Sequence, residues 1–288
     1  MADDKKRKIG VWGPSNSGKT SFLVSLMAEN WARYNYVTTS IGDSIPFIPD
    51  FKQGLFPSPT DSNTDLPRYS YRFDKVIDDR GRTDDSRSYH LSLMDVAGIE
   101  TSNRKANHYQ EYYEELATCQ GIIVMIDVNA IKISYKEGES RFGRGGEDYY
   151  SGLARLFDNL PSKNNKIEAF IAFCITKADL DPIWEKVKEH RHKPQIPFSV
   201  LEDFMGDEIS ALIQTRCDIR HRIAVFATSV VGRIKTESGN ERPNIIPTGQ
   251  DHQIRIYDPE RRQAQHIVNP VLWLFKCLDP RQNDFDKL

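Results

Sequence analysis

Residues 13–20 read Gly13-Pro14-Ser15-Asn16-Ser17-Gly18-Lys19-Thr20, a GxxxxGK[ST] pattern. Glycines at those positions let the backbone turn tightly and aim successive N–H groups at one point, an arrangement that suits phosphate oxygens. In that chemistry Lys19 reaches the β- and γ-phosphates of a nucleotide and the Thr20 hydroxyl ligates Mg2+. Ser21 follows on the first helical turn, where the helix N-terminus favours negative charge.

Three further segments complete a nucleotide site. Asp95-Val96-Ala97-Gly98 ends an apolar run, His90 to Met94. Asp95 there would hold Mg2+ through a water, and the Gly98 N–H would sense the γ-phosphate. Thr176-Lys177-Ala178-Asp179 follows a second apolar run. A carboxylate at Asp179 can accept two hydrogen bonds, from N1–H and the exocyclic amine of guanine, a donor pair that adenine lacks. Lys177 can lie along the base plane. Ala227-Thr228-Ser229-Val230 follows a third run and can offer a backbone N–H to the guanine oxygen.

These residues need a scaffold that brings the ends of several strands together. Lys8–Trp12 (KIGVW) reads as a strand, and 20–30 as a helix with Phe22, Leu23, Leu26 and Met27 on one face. Residues 68–77 and 88–95 form a hairpin around the turn Asp78-Asp79-Arg80-Gly81. Strands are expected at 121–128, 167–176 and 222–228, and helices at 103–119, 147–160, 182–190 and 198–217. Asn269 is expected to cap a last helix with Pro270 at its first position. Strands alternating with helices predict a three-layer α/β/α fold, its sheet mostly parallel with one antiparallel strand. Ligands bind such sheets outside the carboxyl ends of the strands, where all four motifs fall.

The stretch 38–67 carries Pro46, Pro49, Pro57, Pro59 and Pro67 and is expected to contain neither strand nor helix. Residues 130–146 are glycine-rich and charged, and 230–266 look like an inserted hairpin. The expectation is one domain over residues 1–288 with insertions at these three places.

Composition narrows the function classes. The chain has 288 residues, 39% of them hydrophobic, and a formal net charge of -2, which is not the balance of a nucleic-acid-binding protein. The run Lys5-Lys6-Arg7-Lys8 reads as a solvated end. The four cysteines, Cys119, Cys174, Cys217 and Cys277, form no CxxC pair, so a zinc site or disulfide framework is not expected. Apolar runs such as 121–126 are far shorter than the roughly 20 residues a membrane span needs. No secretory segment is visible near residue 1. A cytoplasmic protein with free thiols is the expectation.

In this order, each at a strand end, the four motifs resemble those of the TRAFAC class of P-loop GTPases, and the resemblance covers Lys8 to Leu278. Thr176 stands where the commonest motif has Asn, as it does in Rho-like members. Ser229-Val230 stands where Ser-Ala is usual. The segment Gly54-Leu55-Phe56-Pro57-Ser58-Pro59-Thr60 and the ending Pro270-Val271-Leu272-Trp273-Leu274 resemble bacterial double-GTPase proteins of conflict and defence loci. The resemblance implies Mg-GTP binding, slow hydrolysis to GDP, and switch loops at 38–67 and 96–107 that signal to a protein partner, such as a second GTPase or another copy of the chain.

The candidates for the switch threonine are Thr38, Thr39, Thr60 and Thr64. The family resemblance favours Thr60, which would reach both metal and attacking water. Ile99 stands where Ras-like proteins carry a water-orienting glutamine, as in hydrophobic-substituted members. Glu100 is the nearest carboxylate. The charge missing from catalysis has two sources open to it, a potassium ion held by Asn16 or an arginine from a partner. Two alternative functions also stay open: a nucleotide-bound scaffold without turnover, and another P-loop NTPase such as an ATPase.

Overall fold

The computed structural model describes residues 7–14, 17–41, 48–57, 68–94, 109–128, 149–247, 254–259 and 264–279. Its main sheet has seven strands: β1 (Arg7–Trp12), β2 (Tyr36–Ser40), β3 (Arg68–Val76), β4 (Thr83–Met94), β5 (Gly121–Ile126), β8 (Phe170–Ile175) and β9 (Ile223–Ala227). A short hairpin, β6 (Ser162–Lys163) and β7 (Lys166–Ile167), leads into β8. The spatial order is β2-β3-β4-β1-β5-β8-β9. From β4 to β9 every pairing is parallel, whereas β3 pairs antiparallel with both β2 and β4. β3 is therefore the one strand of this sheet that runs against the rest, as expected.

The parallel strands are buried on both faces, so they read as continuous apolar runs rather than alternating ones. Their side chains still separate by parity. Ile122, Val124 and Ile126 of β5, with Ile171, Phe173 and Ile175 of β8, pack into one core. That core is roofed by helices α3 (Tyr109–Ala117), α4 (Tyr149–Asn159), α5 (Asp181–Val187) and α6 (Phe198–Arg216). Ile123, Met125, Ala172 and Cys174 point the other way, into a second core under α1 (Lys19–Ala28) and α7 (Asn269–Leu278). The result is the expected three-layer α/β/α arrangement.

Two expectations are overturned. The proline-rich stretch does contain regular structure: β2 extends to Ser40, and α2 spans Ile48–Lys52. Pro49 falls in the first turn of α2, where its missing N–H has no intrahelical acceptor to lose. Asn269 does not cap the last helix. It is the first helical residue of α7, Val268 takes the cap position without a side-chain bond, and the Asn269 amide reaches the His266 ring at 2.7 Å.

The region 230–266 folds back twice. Strands β10 (Arg233–Lys235) and β11 (Glu241–Pro243) form one hairpin, and β12 (Ile245–Pro247) with β13 (Ile254–Ile256) another. Cys119, Cys174 and Cys217 are buried and Cys277 is partly buried, all as free thiols. Burial pushes Cys119, Cys217 and Cys277 up to about 12, which keeps them protonated and unreactive.

Candidate functional site

The loop after β1 is shaped by two glycines. A Cβ on Gly13 would lie 2.5 Å from Ser17 Oγ and 2.9 Å from Met125 Cβ of β5, so only glycine lets the loop pass this close to the sheet. Gly18 has φ 86 and ψ 23, the left-handed region, at the cap of α1. No side chain caps this helix end, which carries the positive end of the helix dipole. Lys19 is 6% exposed, and its ammonium turns back across the loop to the carbonyl oxygens of Gly13 at 2.7 Å and Pro14 at 3.1 Å. That places the charge at the centre of the loop, where phosphate oxygens would be held.

Ser17 is buried, and its hydroxyl has no hydrogen-bond partner among the described residues. A buried hydroxyl left over in this way is a feature that a phosphate oxygen satisfies. Thr20 and Ser21, partly buried, continue the first turn of α1. Ser15 and Asn16 lie outside the described residues.

The base-recognition loops are built differently. Thr176 follows β8 and Thr228 follows β9, and both are buried. The Thr176 hydroxyl donates to the Ile126 carbonyl at 3.0 Å, and the Thr228 hydroxyl to the Ile175 carbonyl at 3.4 Å. Each threonine thus ties its loop to the end of the neighbouring strand. The two loops are joined directly by Ala178 N–H, which donates to the Thr228 carbonyl at 3.1 Å.

Asp179 is 5% exposed and accepts a 2.6 Å hydrogen bond from the Ser229 hydroxyl. The same oxygen of Ser229 accepts from the N–H groups of Gly232 at 2.8 Å and Val231 at 3.3 Å, which fixes where it points. Burial raises the Asp179 carboxyl above the usual carboxylate range. The Ser229 hydrogen bond, its own amide, and the charges of Arg233 and Lys177 pull it back down. A carboxylate held this way keeps lone pairs free for a paired set of donors. Val230, partly buried, packs against the core beside it.

Lys177 has φ 56, a left-handed backbone for a non-glycine residue. Its ammonium pairs with Asp127 at 2.7 Å, at the end of β5. The Tyr149 hydroxyl accepts from the Asp127 N–H at 2.7 Å and donates to the Met125 carbonyl at 3.3 Å. Neither Asp127 nor Tyr149 stood out in the sequence. Asp127 carried the same signal as Asp95, an acid closing an apolar strand, whereas Tyr149 carried none.

The sheet therefore brings the Lys19 loop, Lys177, Asp179 and Ser229 to the carboxyl ends of β1, β8 and β9. Two strand spacings separate β1 from β8, about 10 Å, with β5 between them. Of the remaining expected site residues, Thr60, Thr64, Asp95, Gly98, Ile99 and Glu100 lie outside the described residues. Thr38 and Thr39 sit in β2, opposite Phe73 and Arg72 of β3. Among the described residues no group of three or more His, Cys, Asp or Glu could hold a metal ion.

No family model and no curated protein matches the chain. Solved structures resemble it distantly. The Arl6 small GTPase of Trypanosoma brucei, with a bound nucleotide analogue, is 12% identical over 78% of this chain and 87% of that one, with a TM-score of 0.40. The mammalian SRP receptor is 14% identical over 78% of this chain and 92% of its own, with a TM-score of 0.38. The G domain of the T. maritima FeoB iron transporter is 14% identical over 78% and 88%, with a TM-score of 0.33. Likenesses this weak carry no functional weight, and the strand order and motif positions stand without them.

Proposed function

We propose that this chain is a guanine-nucleotide switch that binds Mg-GTP and hydrolyses it slowly to GDP. One observation carries the reading: a lysine ammonium centred in a glycine loop and a buried, serine-held carboxylate lie on the same sheet edge, two strands apart. The first suits a phosphate chain and the second suits the two donors of guanine. Lys19 would draw charge from the β- and γ-phosphates, and Asp179 would select the base while Lys177 flanks its face.

Thr20, with Asp95 and Thr60, would hold Mg2+. Bound there, the metal would neutralise charge between the β- and γ-phosphates. Gly98 and Thr60 would respond to the γ-phosphate, which orders the loops at 38–67 and 96–107 for a protein partner and releases them on hydrolysis. Ile99 cannot orient water, so turnover by the isolated chain is slow until a potassium ion at Asn16 or a partner's arginine supplies charge. The domain is a single G domain with insertions, of the bacterial double-GTPase kind, and it works in the cytoplasm. No described helix is long and apolar enough to cross a membrane.

Calorimetric titration tests this reading. GTP and GDP are expected to bind in the presence of Mg2+, and ATP at the same concentration is not. Equal affinities for ATP and GTP would end it.

A further inference from the structure

The inserted region beyond Ser229 begins with an arginine whose placement the nucleotide motifs do not explain. Arg233 opens β10, and its side chain is only 6% exposed. Its guanidinium donates through Nη1 to the backbone carbonyl of Asp179. The same nitrogen pairs with the Asp181 carboxylate at 2.8 Å, and Nη2 donates to the Glu241 carbonyl at 2.6 Å across the hairpin. The group also lies over the Trp184 ring at 5.2 Å from its centroid. A buried guanidinium is costly to desolvate and is retained where its fork meets fixed acceptors. Here the acceptors come from both sides of a junction, the base-recognition loop on one side and the inserted hairpin on the other.

The Asp181 pairing is the weaker attachment, because its carboxylate is 73% exposed and screened by solvent. The Asp179 carbonyl is the contact that matters. Asp179 is thereby held twice. Ser229 holds its carboxylate, and Arg233 holds its backbone.

We infer that Arg233 is a positioning residue for the base-specifying carboxylate, so that the β10–β11 hairpin braces the guanine-recognition loop and sets how long a nucleotide stays bound. The inference rests on the guanine-nucleotide reading above. Three mechanisms combine in it. The fork fixes the carbonyl of Asp179 and hence the direction of its side chain. The hairpin supplies the rigid end through Glu241. The positive charge also favours the ionised carboxylate, the form that can accept both guanine donors.

Charge near Asp179 makes the idea separable from a merely structural role. The groups facing Asp179 are Ser229 and Arg233 after β9, Lys177 on its own loop with Asp127 behind it, and Asp181 beyond it. Burial already raises the Asp179 carboxyl, while Arg233 and Lys177 lower it. Removing the Arg233 charge therefore raises it further. Guanine binding needs the ionised form, so affinity is lost as pH falls, and in such a variant the loss begins at a higher pH.

The experiment compares wild type, Arg233→Met and Arg233→Lys by stopped-flow release of a fluorescent GDP and by GDP affinity from pH 5 to 8. Arg233→Met should speed GDP release by about 10- to 100-fold, the worth of one or two charge-assisted hydrogen bonds. Its acid-side loss of affinity should begin at a higher pH than in wild type. Arg233→Lys keeps the charge and loses the fork, so it should restore the pH profile while leaving release faster than wild type. If Arg233→Met proves too unstable to assay, the Lys variant alone decides, through fast release with an unmoved pH profile. Wild-type release from either variant, or a Lys variant whose pH profile moves as far as that of Met, would overturn the inference. Failure of wild type to bind GDP at all would instead overturn the guanine reading beneath it.

Discussion

The two ends of the candidate site are held by different means. At the base end, Asp179, Thr176, Thr228 and Ser229 are buried and bonded to one another or to strand ends. Direction there is set by protein contacts in advance of any ligand. At the phosphate end, the side chain described at the centre is Lys19, whose contacts include two carbonyl oxygens of its own loop. Shape there comes from glycine, through the left-handed Gly18 and the close approach at Gly13. The difference fits the division of labour that the proposed nucleotide switch would need. Base identity does not change during a switching cycle, so its reader can be rigid. The phosphate chain gains and loses a group, so its reader must exchange partners.

Substitutions at each end should leave different signatures. Lys19→Ala is expected to have the largest effect, weakening GTP binding about 100-fold through loss of a charge-assisted contact. GDP should suffer less, because it lacks the γ-phosphate. Isothermal titration with both nucleotides reads this directly, and an equal loss for GDP and GTP would blur the comparison. Ser229→Ala removes the hydroxyl donated to a buried carboxylate and should cost about tenfold. That loss should be the same for GDP and GTP, since both carry the same base. A loss confined to GTP would mean that the two ends are not independent.

Asp127→Asn should be the mildest. It keeps the shape of the side chain and removes the charge opposite Lys177, whose own side chain is 39% exposed. Solvent screening limits such a pair, and about a threefold loss of guanine-nucleotide affinity is expected, measured by competition against a fluorescent GDP. An effect larger than that of Ser229→Ala would promote Asp127 from supporting Lys177 to a direct part in binding.

The same contrast governs what the sequence made legible. The strands carrying the site announce themselves, because a parallel strand covered on both faces is a run such as Gly121–Ile126 with every residue buried. Lys19 and Asp179 stood out because they lie in the loops that follow such strands, at fixed spacing from glycines or a lysine. The proline-rich stretch misled, since proline density says nothing of where in a turn each proline falls, and Pro49 falls where a helix tolerates it. The Asn269 cap failed for a related reason. The His266 ring takes the Asn269 side chain, a contact three residues back to a residue at φ 52 that carries no sequence signal. Arg233 was invisible because the acceptors that tie it to both sides of the junction are backbone carbonyls, at Asp179 and Glu241, which every residue possesses.

Asp179 is proposed to read the base by accepting two donors from guanine. Asp179→Asn turns one acceptor into a donor, which suits xanthine, whose ring presents an oxygen where guanine presents an amine. Binding of GTP and xanthosine triphosphate to wild type and variant, by titration in the same buffer, gives the most direct test. Wild type is expected to prefer GTP and Asp179→Asn the xanthine nucleotide, with Lys19 still required by both. A variant that keeps the wild-type preference for GTP would contradict it.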